Sequence, residues 1–128
     1  MSLPGEGTGK GEIERVTIAE AAATAARAVD GVVRLQPGLV GLLKQFAAQA
    51  WERATGRPMP DIAGIDVDLR ADGTVHLDVR IVTAIDRHTA AVGAAVHTAV
   101  TAAVETATGR VPQVRVRVVE IDLEPTRS

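Results

Sequence analysis

Between Ile65 and Leu123 the spacing of apolar residues switches from period two to a helical period and back again. Ile65, Val67 and Leu69 alternate with Asp66, Asp68 and Arg70, and Val75, Leu77, Val79 and Ile81 alternate with His76, Asp78 and Arg80. Both runs predict half-buried strands. A two-residue loop at Asp72-Gly73 would set Arg70 opposite Val75 and place the apolar sets on opposite faces. A three-residue loop, Ala71-Asp72-Gly73, with Gly73 in the left-handed position of a type I turn plus bulge, sets Leu69 opposite Val75, Val67 opposite Leu77 and Ile65 opposite Val79. Asp86 is then placed to cap a helix. Val92, Val96, Val100 and Val104, with Ala99, Ala103 and Ala107, form its apolar face, and Gly109 ends it. Val114, Val116 and Val118 alternate with Arg115 and Arg117. The phase then slips, and Ile121 and Leu123 continue on the new one. Two adjacent apolar residues inside an alternating strand predict a bulge at Val118-Val119.

Upstream, residues 1–12 carry Gly5, Gly7, Gly9 and Gly11 and are expected to be a disordered tail. Thr17 and Glu20 form the Thr-x-x-Glu pattern of a capping box, which predicts a helix starting at Thr17 with a stripe of Ile18, Ala22, Ala25 and Val29. Asp30-Gly31 is its expected end, and Val32 to Leu35 reads as a short edge strand. Pro37 suits a first helical position. After it, Leu39, Leu42, Leu43, Phe46, Ala50 and Ala54 recur at helical spacing, predicting an amphipathic helix over 39–54 that also carries Trp51. Such a stripe suits packing on its own domain, and it also suits docking a partner. Pro58 and Pro60 mark a linker. Residues 13–124 therefore form the expected single domain, and 125–128 a second tail.

Composition narrows the class. The apolar content is mostly Ala and Val, with one Phe, one Trp and no Tyr, so the core should be built from small side chains. The absence of cysteine excludes a disulfide framework and a thiolate zinc site. Net charge is −2 with acids and bases interspersed; no basic block and no aromatic stacking platform favours nucleic acid. No signal-peptide pattern or membrane-length apolar run stands out, so a cytoplasmic protein without direct membrane insertion is expected.

Candidate chemistry is sparse. The hairpin register sets Asp68 opposite His76 and Asp66 opposite Asp78, a face that could serve a small metal-binding protein or enzyme. Arg70, Arg80, Arg115 and Arg117 share that face if the third strand joins the sheet, which favours a charge-laced solvent surface over an open ligand set. His88 and His97 are half a turn out of phase on their helix and cannot share a metal. With no Cys, no Gly-x-Ser-x-Gly, and serines only at Ser2 and Ser128, no catalytic residue, cofactor site or metal site is predicted.

Three stretches resemble the alkaline shock protein family of bacterial general-stress and envelope-stress proteins. They are Val16-Thr17-Ile18-Ala19 leading to Val29-Asp30-Gly31-Val32; Gly64-Ile65-Asp66-Val67 with Gly73 and Val79-Arg80-Ile81-Val82; and Val104-Glu105-Thr106-Ala107-Thr108-Gly109 followed by Val114-Arg115-Val116-Arg117-Val118. The chain departs from the family where Ala84-Ile85 replaces a Tyr-Gly pair and where Arg115 replaces an Asn. The resemblance implies a non-catalytic cytoplasmic protein for envelope stress, acting by self-assembly into homo-oligomers and through a protein partner that is membrane-anchored. The contact residues expected for such a module are Leu39, Leu42, Leu43, Phe46, Trp51, Arg80, Arg115 and Arg117.

The expected architecture is α+β. A three-stranded, mostly antiparallel sheet has helices on one face, with the third strand beside the first in a split β-α-β arrangement. The 39–54 helix packs at one end.

Overall fold

The structure, a computed structural model, describes residues 4–37, 51–58 and 60–124. In chain order the elements are helix α1 (Pro4–Arg27), strand β1 (Val32–Leu35), strands β2 (Ile65–Leu69) and β3 (Val75–Ala84), helix α2 (Thr89–Thr108) and strand β4 (Gln113–Asp122). The class is α+β, as expected. Strand β3 organises the sheet. It pairs antiparallel with β2 through Val75 to Val79, antiparallel with β1 through Ile81 to Thr83, and parallel with β4 along nearly its whole length. Strands β1 and β2 therefore lie end to end on one edge of β3, with β4 on the other. Arg80 marks the junction: its N–H donates to the Gly64 carbonyl and its carbonyl accepts from the Gln36 N–H, both at 3.0 Å.

The hairpin register is the one the alternation requires. Ile65 faces Val79, Val67 faces Leu77 and Leu69 faces Val75. The Arg70 N–H donates to the Thr74 carbonyl and the Gly73 N–H to the Arg70 carbonyl, closing a three-residue loop with Gly73 at φ +87°. The bulge also falls where the phase slips. Ile81 pairs with Val118 and Val82 with Glu120, so Val119 is the extra residue.

Three local expectations are corrected. The third strand lies beside the second, not the first, and is parallel to it. The physical reason is length: β3 and β4 each have ten residues, whereas β2 has five, so only β3 can satisfy the full β4 ladder. Second, Thr17 is not a cap. Helix α1 already runs from Pro4, and the Thr17 hydroxyl donates back to the Ile13 carbonyl at 2.9 Å. Proline suits the opening turn, and once a helix is nucleated each further residue adds one hydrogen bond, so the glycine-rich stretch expected as a tail continues the helix from Pro4. Third, Asp86 sits in the preceding turn, and His88 occupies the α2 N-cap position without a side-chain cap bond.

The core lies between the sheet and the two helices. Val16, Ile18, Ala22 and Ala26 of α1 meet Val92, Val96, Val100 and Val104 of α2 over Ile65, Val75, Leu77, Val79 and Ile81. The largest fully buried side chains are Ile and Val, which follows from the small-residue composition. By length and hydropathy alone α2 could cross a membrane, but its valine line is committed to this core. Gly109, at φ +74°, ends α2 and donates its N–H to Glu105 at 2.7 Å.

Of the predicted 39–54 helix, residues 39–50 lie outside the described residues, while 51–55 are helical. Trp51 is 4% exposed and joins the core with Leu35 and Ile62. Arg57 stands over its ring, 5.6 Å from the centroid.

Candidate interaction surface

The sheet face away from the helices carries the charges, and the register aligns them in rows. One row across β2, β3 and β4 reads Asp66, Asp78, Arg115; another reads Asp68, His76, Gln113. Arg80 and Arg117 form the next pair, followed by Arg34, Val82, Glu120 across β1, β3 and β4. Because Val119 bulges, Glu120 and Asp122 stay on the same face as Arg115 and Arg117. An unbulged strand would have sent them to the helix side.

Carboxylates and guanidinium groups are matched along these rows. Asp66 pairs with Arg80 in a half-buried contact. Arg70 Nε lies 3.3 Å from Asp68 Oδ2. Asp78 Oδ1, itself out of solvent, has Arg117 at 3.7 Å and Arg115 at 4.0 Å, ion-pair distances without a hydrogen bond. Arg34 reaches across Val82 to Glu120 at 3.1 Å and to Asp122 at 3.8 Å. The Arg34 contribution could not be found from the alternation alone, because it depends on β1 joining this edge of β3.

A polar cleft of about 490 Å³ opens at the β2–β3–β4 end of this face, lined by Asp66, Asp68, His76, Asp78, Gln113 and Arg115 among others. Among the described residues, no three of His, Asp and Glu converge in a way that would hold a metal ion. Asp66, Asp68 and Asp78 each have an arginine nearby. His88 and His97 are both exposed, on separate parts of the α2 region.

The predicted contact residues separate into groups. Arg115 and Arg117 are exposed on the outer strand, with side chains 69% and 48% accessible. Arg80 is half-buried and held by Asp66. Trp51 is internal. Leu39, Leu42, Leu43 and Phe46 lie outside the described residues. Exposed apolar residues outside the predicted contact set are grouped on β4 and just beyond it, where Val118, Val119, Ile121 and Leu123 are 39% to 73% accessible; Val33, Ile85 and Val111 are exposed singly elsewhere. The signal of the β4 group was present in the slip of phase, but alternation alone assigns such residues to a covered face.

No curated protein and no solved structure matches the chain. A family model described as having a cell envelope-related function matches residues 5–123, which takes in every strand and nearly all of both helices. The chain belongs to the alkaline shock protein family.

Proposed function

We propose that this chain is a non-catalytic protein-interaction and self-assembly module for the cell-envelope stress response. It acts in the cytoplasm and reaches the membrane through a membrane-anchored protein partner. One observation carries the reading: among the described residues β4 forms an outer edge of the sheet, ten residues long, and its second half exposes Val118, Val119 and Ile121. A long edge presents unpaired N–H and C=O groups that template pairing with another chain, and on β4 the charges and the bulge restrict which chain fits. The sheet face, with its carboxylates set beside arginines, supports the same reading as a charge-laced surface suited to another protein.

The test is light scattering after size exclusion over a wide concentration range, together with native pull-down from membrane and soluble fractions. Concentration-dependent assembly and recovery with an envelope protein are expected. A strict monomer at every concentration, with no envelope protein recovered, would overturn the proposal.

A further inference from the structure

The composition of β4 specifies what its free edge accepts. Arginines stand before the bulge, Arg115 and Arg117, and acids after it, Glu120 and Asp122. The bulge puts all four on one face of the sheet. With Val119 left out of the ladder, a two-fold axis through Val118 would bring a second, antiparallel β4 alongside the first. Arg117 would then lie opposite Glu120 and Arg115 opposite Asp122. On the other face Val116 would meet Ile121, and Val114 would meet Leu123. Every cross-strand pair would be opposite in charge or apolar on apolar, the pairings that stabilise an antiparallel ladder. A parallel alignment in the same place would instead set Arg against Arg and acid against acid.

We infer that the β4 edge is the homotypic interface of this protein. It is a two-fold, antiparallel β4–β4 pairing centred on Val118 that joins the sheets of two copies. The inference rests on the self-association reading above and gives it a site. Isologous contacts of this kind require a self-complementary patch, and β4 supplies one in both charge and hydropathy. Ile121 and Leu123, 44% and 73% accessible in the single chain, would gain partners at once.

Charge reversal tests the register. R117E would place Glu opposite Glu120 of the second copy, and E120R would place Arg opposite Arg117. Each should weaken association at least about tenfold in sedimentation velocity. The double variant R117E/E120R restores complementarity with itself. It should regain association with its own kind while failing to mix with the unaltered chain. Circular dichroism of each variant checks the fold. The chain has no cysteine, so V118C offers a second readout. Residues facing across an antiparallel pair lie about 4.5–5.5 Å apart at Cα, within disulfide range. V118C should form a disulfide-linked dimer on mild oxidation, whereas E105C on the exposed side of α2 should not.

If the unaltered chain assembles but the charge variants assemble equally well and V118C does not cross-link, the β4 interface is wrong and self-association by another surface stands. If the unaltered chain remains a monomer throughout, both this interface and the self-association reading fail. If R117E or E120R does not fold, the V118C result decides alone.

Discussion

Gly31 packs directly against Val92: a Cβ built on Gly31 would stand 2.6 Å from Val92 Cγ2. The contact joins the end of the α1 region to the first turn of α2, and it occurs at φ +99°, where a side chain is already disfavoured. Both penalties act together at this position. Gly31→Ala is expected to destabilise the fold by about 3 kcal/mol or more. Gly73→Ala offers the control, because Gly73 has a similar φ of +87° with nothing within 4 Å. Only the conformational cost, about 1 kcal/mol, should remain there. Urea denaturation of both variants gives the comparison. Equal losses would mean that the Val92 contact relaxes freely.

The Asp66–Arg80 pair should be the strongest single ion pair on the sheet face. Its side chains are 28% and 23% accessible, while those of Asp68 and Arg70 are 63% and 54% accessible. Reduced solvent screening raises the worth of a pair until desolvation begins to offset it. A double-mutant cycle on Asp66→Ala and Arg80→Ala should return a coupling of about 1–2 kcal/mol, and one on Asp68→Ala and Arg70→Ala about 0.5 kcal/mol or less. Reversal of that order would show that desolvation outweighs attraction at Asp66.

Much of this face was legible in the sequence. Alternation with a glycine turn is a strict constraint, since a slip of one residue inverts every side chain, and the Asp66–Asp78 and Asp68–His76 pairings follow from it. The Val118-Val119 bulge was legible for the same reason. What alternation does not contain is which strand neighbours which. That choice was made by strand length, and it moved β4 from β2 to β3. The α1 start was misplaced because Thr17 and Glu20 match a capping pattern that a helix interior also tolerates. The contact residues divided for a similar reason: an apolar stripe looks the same whether its own domain or another chain covers it, and only the packing of Trp51 reveals which applies there.

The hairpin loop has its own titration. Asp72 accepts hydrogen bonds from the Thr74 hydroxyl at 2.7 Å and the Thr74 N–H at 3.0 Å, and these hold its carboxyl below the ordinary Asp value, with a smaller contribution from Arg70. A lowered folded-state pKa means the carboxylate supports the loop at pH above the unfolded value, about 3.9, and that support is lost as pH falls through the lower folded value. Thr74→Val removes the hydroxyl, which is the largest cause, and should move the Asp72 titration upward in carbonyl-detected NMR. An unmoved titration would assign the effect to the backbone N–H alone.

Trp51 offers the sharpest division between core and contact surface. As the only tryptophan, it makes intrinsic fluorescence a direct report on its site. At 4% exposure, its emission in the folded chain should be blue-shifted and poorly quenched by acrylamide, shifting red on unfolding. Trp51→Ala should cost about 3–5 kcal/mol, the range for removing a large buried aromatic. Arg57→Ala should cost only about 0.5–1 kcal/mol, because it removes one cation over the ring from an exposed position while the burial remains. If Trp51 were instead a docking residue, the free chain would show solvent-like emission, Trp51→Ala would leave stability nearly unchanged, and the loss would appear in partner binding. The burial of Trp51 within the core cluster predicts the first pattern.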